Sequence, residues 1–422
     1  MIKKLFVLVT LTVALYSYGQ EGSVSPYSFY GTGEQRFRGT MENRMMGGMS
    51  VYSDSIHLNL QNPASLSKLR LTTFNVAGSY NRTSLKSDIN SETASNVTLD
   101  YFALGFPLGN KAGVSMGLYR NTAVGYRIAD LNESGSTPVL SRYLGDGGVN
   151  RVFVSFGFEP IRNLSIGATG NFNFGNVENE LTRIFEDIPY GTQEISRSEY
   201  SGFDFNVAMN YRTTITDRLT MYSSAIYAPS NEISSSNFRQ ISTIFVNNDG
   251  DELPIVREEV DLRALGLNST YLNMAESYTL GLGVGQERKW FLGAEYQYKK
   301  TSNFENEFLD LNNGAYEDYE RFSAGGFFIP DYDSFTSYWK RVVYRVGVRN
   351  EQTGLIVNNV PVYDFGMTFG LGLPLGGFSS ANVGFEFGKR GSTFQGRVED
   401  NYFNLNISLS LSDRWFVKSL IN

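Results

Sequence analysis

From Asn404 to Ser412 the chain alternates polar and apolar residues without a break. In a β-strand this sets Leu405, Ile407, Leu409 and Leu411 on one face and Asn404, Asn406, Ser408, Ser410 and Ser412 on the other. The same period recurs upstream in stretches of about 9–11 residues, the length of a tilted membrane-spanning strand. Phe74, Val76 and Tyr80 oppose Thr73, Asn75, Ser79 and Asn81; Phe203, Phe205, Val207, Met209 and Tyr211 oppose Asp204, Asn206, Asn210 and Arg212. Trp290, Leu292, Tyr296 and Tyr298 oppose Glu295, Gln297 and Lys299, while Phe365, Met367, Phe369, Leu371 and Leu373 face away from a row of Gly. One stretch, "NVTLDYFALGF", is ambiguous about its faces.

A soluble sandwich and a membrane barrel both alternate in this way, and a mean hydropathy of −0.24 fits either. The turns separate them. Pro107, Pro160, Pro330 and Pro374 each close a strand just before another begins, so those connections are short. Residues 123–149, 176–198, 231–271 and 302–319 are longer polar stretches and read as loops. Short turns at one end and long loops at the other build a barrel, as do Tyr and Phe near strand ends. An open sheet in lipid would leave backbone groups unpaired, so the sheet must close. The expected fold is all-β: a transmembrane antiparallel β-barrel of about fourteen strands with an N-terminal lumenal hatch.

The N-terminus carries Lys3 and Lys4, an apolar run from Leu5 to Leu15 and a Ser17-Tyr18-Gly19 cleavage signal. Residues 1–19 therefore read as a secretory signal peptide. Its removal takes the formal charge from −7 to −9, and no basic run remains to bind nucleic acid. The absence of Cys excludes a disulfide framework, a thiolate metal site and a lipidated N-terminal Cys. The remaining boundaries are a hatch at 20–70, a barrel at 71–412 and a periplasmic tail at 413–422.

The hatch region does not alternate. Its stretch "MMGGMSVYSDSIHLNLQNPASL" contains Gly47 and Gly48, followed by Asn62, Pro63 and Ala64. A plain turn into the first strand would also use Asn-Pro-Ala, because Asn-Pro starts turns. Together these residues resemble the N-terminal plug of the FadL-type family of outer-membrane channels for hydrophobic compounds. The tail "FGKRGSTFQGRVEDNYFNLNISLSLSDRWF" is similar to FadL-like barrels of Bacteroidota. The resemblance implies a Gram-negative outer-membrane location, lipid around the barrel, and a hydrophobic small-molecule ligand. It also implies passive uptake of hydrophobic or amphipathic molecules such as long-chain fatty acids, gated by the hatch. Some FadL-like barrels instead resemble attachment or scaffold subunits of secretion or assembly complexes, whose partners would be other outer-membrane proteins. A continuous apolar pocket above residues 45–64 would favour the ligand, and a polar, filled lumen the partner.

No catalytic, metal or cofactor site is expected. His57 lies in the hatch and reads as a polar residue bonded to backbone rather than a hydrolase base. Gly281, Gly283 and Gly285 imitate a phosphate loop, but they alternate with Leu and Val and no helix follows. Glu258 and Glu259 fall in one of the expected loops. Arg341, Arg345 and Arg349 recur every fourth residue and would share the lumenal face of a strand. They would form an anion-binding ladder or pair with carboxylates such as Glu295 and Glu386.

Overall fold

The computed structural model describes residues 22–133, 137–186, 188–247, 252–308 and 314–414. The expected signal peptide lies outside these residues, as does the tail beyond Arg414. Fourteen antiparallel strands close into a barrel. The first six are β1 (Thr72–Lys86), β2 (Ser91–Leu108), β3 (Ala112–Arg120 continued by Thr122–Asn132), β4 (Val139–Ile161), β5 (Leu164–Phe185) and β6 (Tyr190–Thr216). Next come β7 (Leu219–Ala228 and Asn231–Val246) and β8 (Glu252–Glu259, Ser269–Met274 and Ser277–Gln286). The remaining strands are β9 (Trp290–Lys299), β10 (Tyr319–Phe328), β11 (Val343–Val357), β12 (Val360–Pro374), β13 (Ser380–Arg390) and β14 (Glu399–Asp413). Closure is made by β14 on β1, with Ser412 opposite Thr73 and Leu405 opposite Tyr80.

The faces follow the alternation. On β14, Ile407 and Leu411 are exposed on the outer surface, whereas Asn404, Asn406, Ser408, Ser410 and Ser412 are buried inside. Phe203, Phe205, Val207, Met209 and Tyr211 are likewise outward on β6. The ambiguous stretch belongs to β2. Its register slips where Ala77 pairs Tyr101 but Gly78 pairs Leu99, leaving Asp100 as a bulge. Val97 and Leu99 therefore face outward before the bulge and Phe102 after it, so no single parity describes the segment.

Three expectations are corrected. Most of the described residues in stretches 123–149, 176–198 and 231–271 lie not in loops but in strand extensions, so Glu258 and Glu259 end a strand piece. β6 alone has 27 residues, about 90 Å of chain at roughly 3.3 Å per residue, against a hydrocarbon core of about 30 Å. Its far part stands in water, where neither face need be apolar, and so the alternation fades. The connection after Phe328 is not a tight turn; it runs to Val342 and holds a one-turn helix, α1 (Tyr338–Arg341). Arg341 consequently precedes the strand and lies exposed near the Tyr338 ring, apart from Arg345 and Arg349 on the inner face of β11. Among the described residues no helix is long and apolar enough to cross a membrane.

Candidate functional site: the filled lumen

Residues 22–71 enter the barrel and pack on its inner wall. In the lower part the fit depends on missing side chains. Gly47 and Gly48 have φ of 73° and 82°, which lets the chain turn against the wall. A Cβ on Gly347 of β11 would come 2.0 Å from the Gly47 nitrogen, and one on Gly384 of β13 would meet the Met45 sulfur at the same distance. The inward Gly row is therefore a seat for the segment. Asn62, with φ −123°, precedes a 3₁₀ helix, Pro63–Lys68, that has Pro at its start. Wall glycines Gly157 and Gly167 let Pro63 and Ala64 approach backbone to backbone.

Hydrogen bonds, several of them between neutral groups, and the Lys68–Glu159 ion pair at 2.8 Å fix this part in register. The Asn62 amide donates to Asn210 Oδ1 at 2.8 Å, and Ser67 donates to Ser165 at 2.7 Å. The Gly47 N–H donates to Thr368 Oγ1 at 3.1 Å. Ser50 gives both its N–H and its hydroxyl to Glu295 Oε2, each at 2.7 Å. Thus Gly47, Asn62, Pro63 and Ala64 sit at the interface between segment and wall, while Gly48 packs against Phe37 of the segment itself.

Higher up, charge replaces fit. Arg44 Nε donates to Glu386 Oε2 at 2.9 Å, and Arg349 pairs with the same carboxylate. Arg349 also donates to the Tyr402 hydroxyl at 2.8 Å, which donates in turn to Asp364 Oδ1 at 2.6 Å. Arg390 spans Asp364 at 2.8 Å and Glu34 at 2.7 Å, so the network begins and ends on the N-terminal segment. Burial raises the Glu34 pKa, but Arg36 and Arg390 outweigh it and hold the carboxyl at about 2. Across the lumen Arg151 pairs with Asp204 at 2.7 Å and Arg321 with Glu295 at 3.2 Å. These groups surround a cavity of about 400 Å³.

The site residues expected from sequence are thus dispersed. Arg345 and Arg349 face the lumen without Arg341; Arg349 pairs with Glu386, whereas Glu295 is taken by Arg321. Arg345 donates to Asn382 Oδ1 at 3.0 Å. His57 Nδ1 contacts Asp54 Oδ2 at 2.5 Å, and Asp54 also accepts the backbone N–H groups of Ile56 and His57. Gly281, Gly283 and Gly285 lie on β8 facing inward, where Gly281 abuts Val51. Sequence reasoning missed Glu34, Arg44 and Arg390. Arg390 closes the alternating run of β13, so inward parity could have found it. Nothing periodic marks the other two.

Apolar interior surface is present but occupied. Val124, Tyr126, Val149, Val177, Tyr200, Ile233 and Leu272 line the inside of the tall strands β3–β8. Phe29 of the segment and Phe304 of the loop after β9 pack into them.

A family model described as BamG matches residues 1–422. No curated protein matches this chain. Among solved structures, the Pseudomonas putida toluene transporter TodX shares 15% identity over 90% of this chain and 98% of its own, with a TM-score of 0.57. The CymD monoaromatic hydrocarbon channel gives 12% identity over 89% and 98%, with a TM-score of 0.54. A Pseudomonas aeruginosa FadL homologue gives 10% over 90% and 98%, at 0.53. At these identities the likeness is one of fold. The chain is a member of the BamG family, built on the transmembrane β-barrel fold of the FadL-type outer-membrane channels.

Proposed function

We propose that this protein is a non-transporting outer-membrane barrel of a Gram-negative cell that serves as an attachment or scaffold subunit of a secretion or assembly complex. The observation that carries the reading is the lumen. Its own N-terminal segment fills it, and at mid-height charged side chains from segment and wall neutralise each other. A hydrophobic molecule crossing that level would strip charged groups of their partners at a cost of several kcal/mol each. The tall side of the barrel supports a partner role. Its rim strand piece, Glu252–Glu259, exposes Leu253, Ile255 and Val256 above the membrane level. Apolar residues clustered in water mark protein contacts. The test is native mass spectrometry of the protein extracted from its own membranes in mild detergent. A stoichiometric complex with other outer-membrane proteins is expected, and a lone barrel carrying lipid would refute the reading.

A second reading, passive uptake of hydrophobic molecules such as long-chain fatty acids through a moving hatch, draws support from one observation. The apolar surface behind Phe29 and Phe304 is a ready pocket if those two rings withdraw. Fatty-acid uptake by cells expressing the protein, compared with a variant lacking residues 22–70, distinguishes the two. Equal and negligible uptake favours the scaffold.

A further inference from the structure

The charged level of the lumen is not fully self-compensated. Arg36, Arg44, Arg151, Arg321, Arg349 and Arg390 each meet a carboxylate. Among the described residues, three cations lining the same cavity form no such ion pair: Arg120, which has Asp146 as its nearest acidic influence, Arg38 of the segment and Lys299, the last residue of β9; the last two act on each other. Lys299 is only 9% exposed. Its ammonium donates to the neutral amide oxygen of Gln35 at 2.6 Å and lies 4.2 Å from the centre of the Tyr319 ring. The charges acting on it most strongly are the cations Arg38 and Arg321, and then Glu351. That acid is already engaged by Arg349 at 3.0 Å and by the Tyr319 hydroxyl at 3.1 Å. Arg38 has Arg151 as its chief charged neighbour; burial first, and then that guanidinium, push its pKa below the usual arginine range.

A buried ammonium and a half-buried guanidinium facing one cavity are costly unless something negative joins them. Four carboxylates (Glu34, Asp204, Glu295 and Glu386) neutralise the six arginines nearby, and none of them pairs with Arg38 or Lys299. We propose that Arg38 and Lys299 form a binding site for a small hydrophilic oxyanion of the phosphate-monoester class. Two considerations select that chemistry. The guanidinium offers a planar fork matched to phosphate oxygens, while the ammonium acts as a point charge on the same group. The cavity lining is mixed, but the inward residue preceding Lys299 is Gln297, with Thr279 opposite it across the strands, and together with Thr353 these offer hydrogen bonds to oxyanion oxygens. The phosphate could belong to a soluble ester or to a lipid headgroup, and the site is independent of whether the barrel transports or scaffolds.

Isothermal titration of the full mature protein in non-ionic detergent, at constant ionic strength, tests the site. One arm uses inorganic phosphate and the other dihexanoyl phosphatidic acid. The unmodified protein is expected to bind at least one of them. Lys299→Gln and Arg38→Gln should each weaken that binding about tenfold, equivalent to about 1.4 kcal/mol. Arg197→Gln, in an exposed ion pair with Glu178, should leave it unchanged. Comparable affinity for both probes points to a soluble ester, and a strong preference for phosphatidic acid points to a headgroup. Arg38 lies outside the strands, so its variant assembles the barrel even if Lys299→Gln does not, and heat-modifiable gel mobility verifies that. No binding of either probe, or binding that Arg38→Gln leaves intact, overturns the proposal.

Discussion

One continuous segment meets the barrel wall in two different ways. Residues 45–69 are seated by shape: Met45 and Gly47 lie against wall glycines, Pro63 and Ala64 against others, with mostly neutral hydrogen bonds between. Residues 23–44 are held by charge, through Ser25 to Asp400, Glu34 to Arg390 and Arg44 to Glu386. Fit is short-ranged and depends on pH only where charged groups such as Lys68–Glu159 and His57–Asp54 take part, whereas ion pairs weaken when one partner is neutralised. The lower part is therefore held mainly by shape and the upper part mainly by ion pairs.

Substitutions can break the two halves separately. The largest effect is expected for Glu386→Gln, which removes the buried carboxylate shared by Arg44 and Arg349 and leaves Arg44 with Asp100 at 3.6 Å and Arg349 with Glu351 at 3.0 Å. Loss of one partner of a buried pair costs on the order of 3–5 kcal/mol. Limited proteolysis should then cut within residues 23–44 while 45–69 stay protected; equal protection throughout would remove the distinction.

Gly347→Val does the reverse, because its side chain would meet the Gly47 backbone. Overpacking of this kind costs about 1–3 kcal/mol, read as a lowered midpoint of heat unfolding, with new cleavage near residue 47. Asn62→Ala deletes the bond to Asn210 and leaves that carbonyl oxygen buried, at about 1–2 kcal/mol. Its unfolding midpoint should fall less than that of Gly347→Val.

Changes of pH act with opposite signs in the two halves. The Glu34 carboxyl is held down at about 2 from an ordinary 4.5, so its contribution is present above 4.5 and lost as pH falls toward 2. In the lower half, burial lowers the His57 pKa, but Asp54 more than offsets this and raises it above the ordinary 6.5. That contribution is complete below 6.5 and disappears as pH rises through the raised value. Hydrogen exchange should thus loosen residues 23–44 first on the acid side and the turn at 54–57 first on the alkaline side.

Alternation made the barrel legible from sequence because one face of each spanning strand must be apolar; Leu405 to Leu411 suffice to orient β14. The strand extensions were illegible for the same reason, since water lies on both sides of Glu252–Glu259 and imposes no pattern. The seat for the segment was half visible. The inward Gly row on β12 was apparent, but not what it receives, because a backbone-to-backbone contact such as Gly47 on Gly347 leaves no periodic mark. Arg341 shows how spacing misleads: a four-residue interval suits one strand face only if the strand has already begun, and here it begins at Val343. Glu34 and Arg44 find their partners more than 300 positions away, a pairing no local pattern encodes.

The decisive measurement is fatty-acid uptake by cells expressing a Ser67→Cys/Ser165→Cys protein, with and without a reductant. The two hydroxyl oxygens lie 2.7 Å apart in a chain without Cys, so the new pair should oxidise and pin the segment to β5. A fixed, non-transporting plug gives the same negligible uptake whether the disulfide is closed or reduced. Uptake that is blocked by the disulfide and restored by the reductant would contradict it.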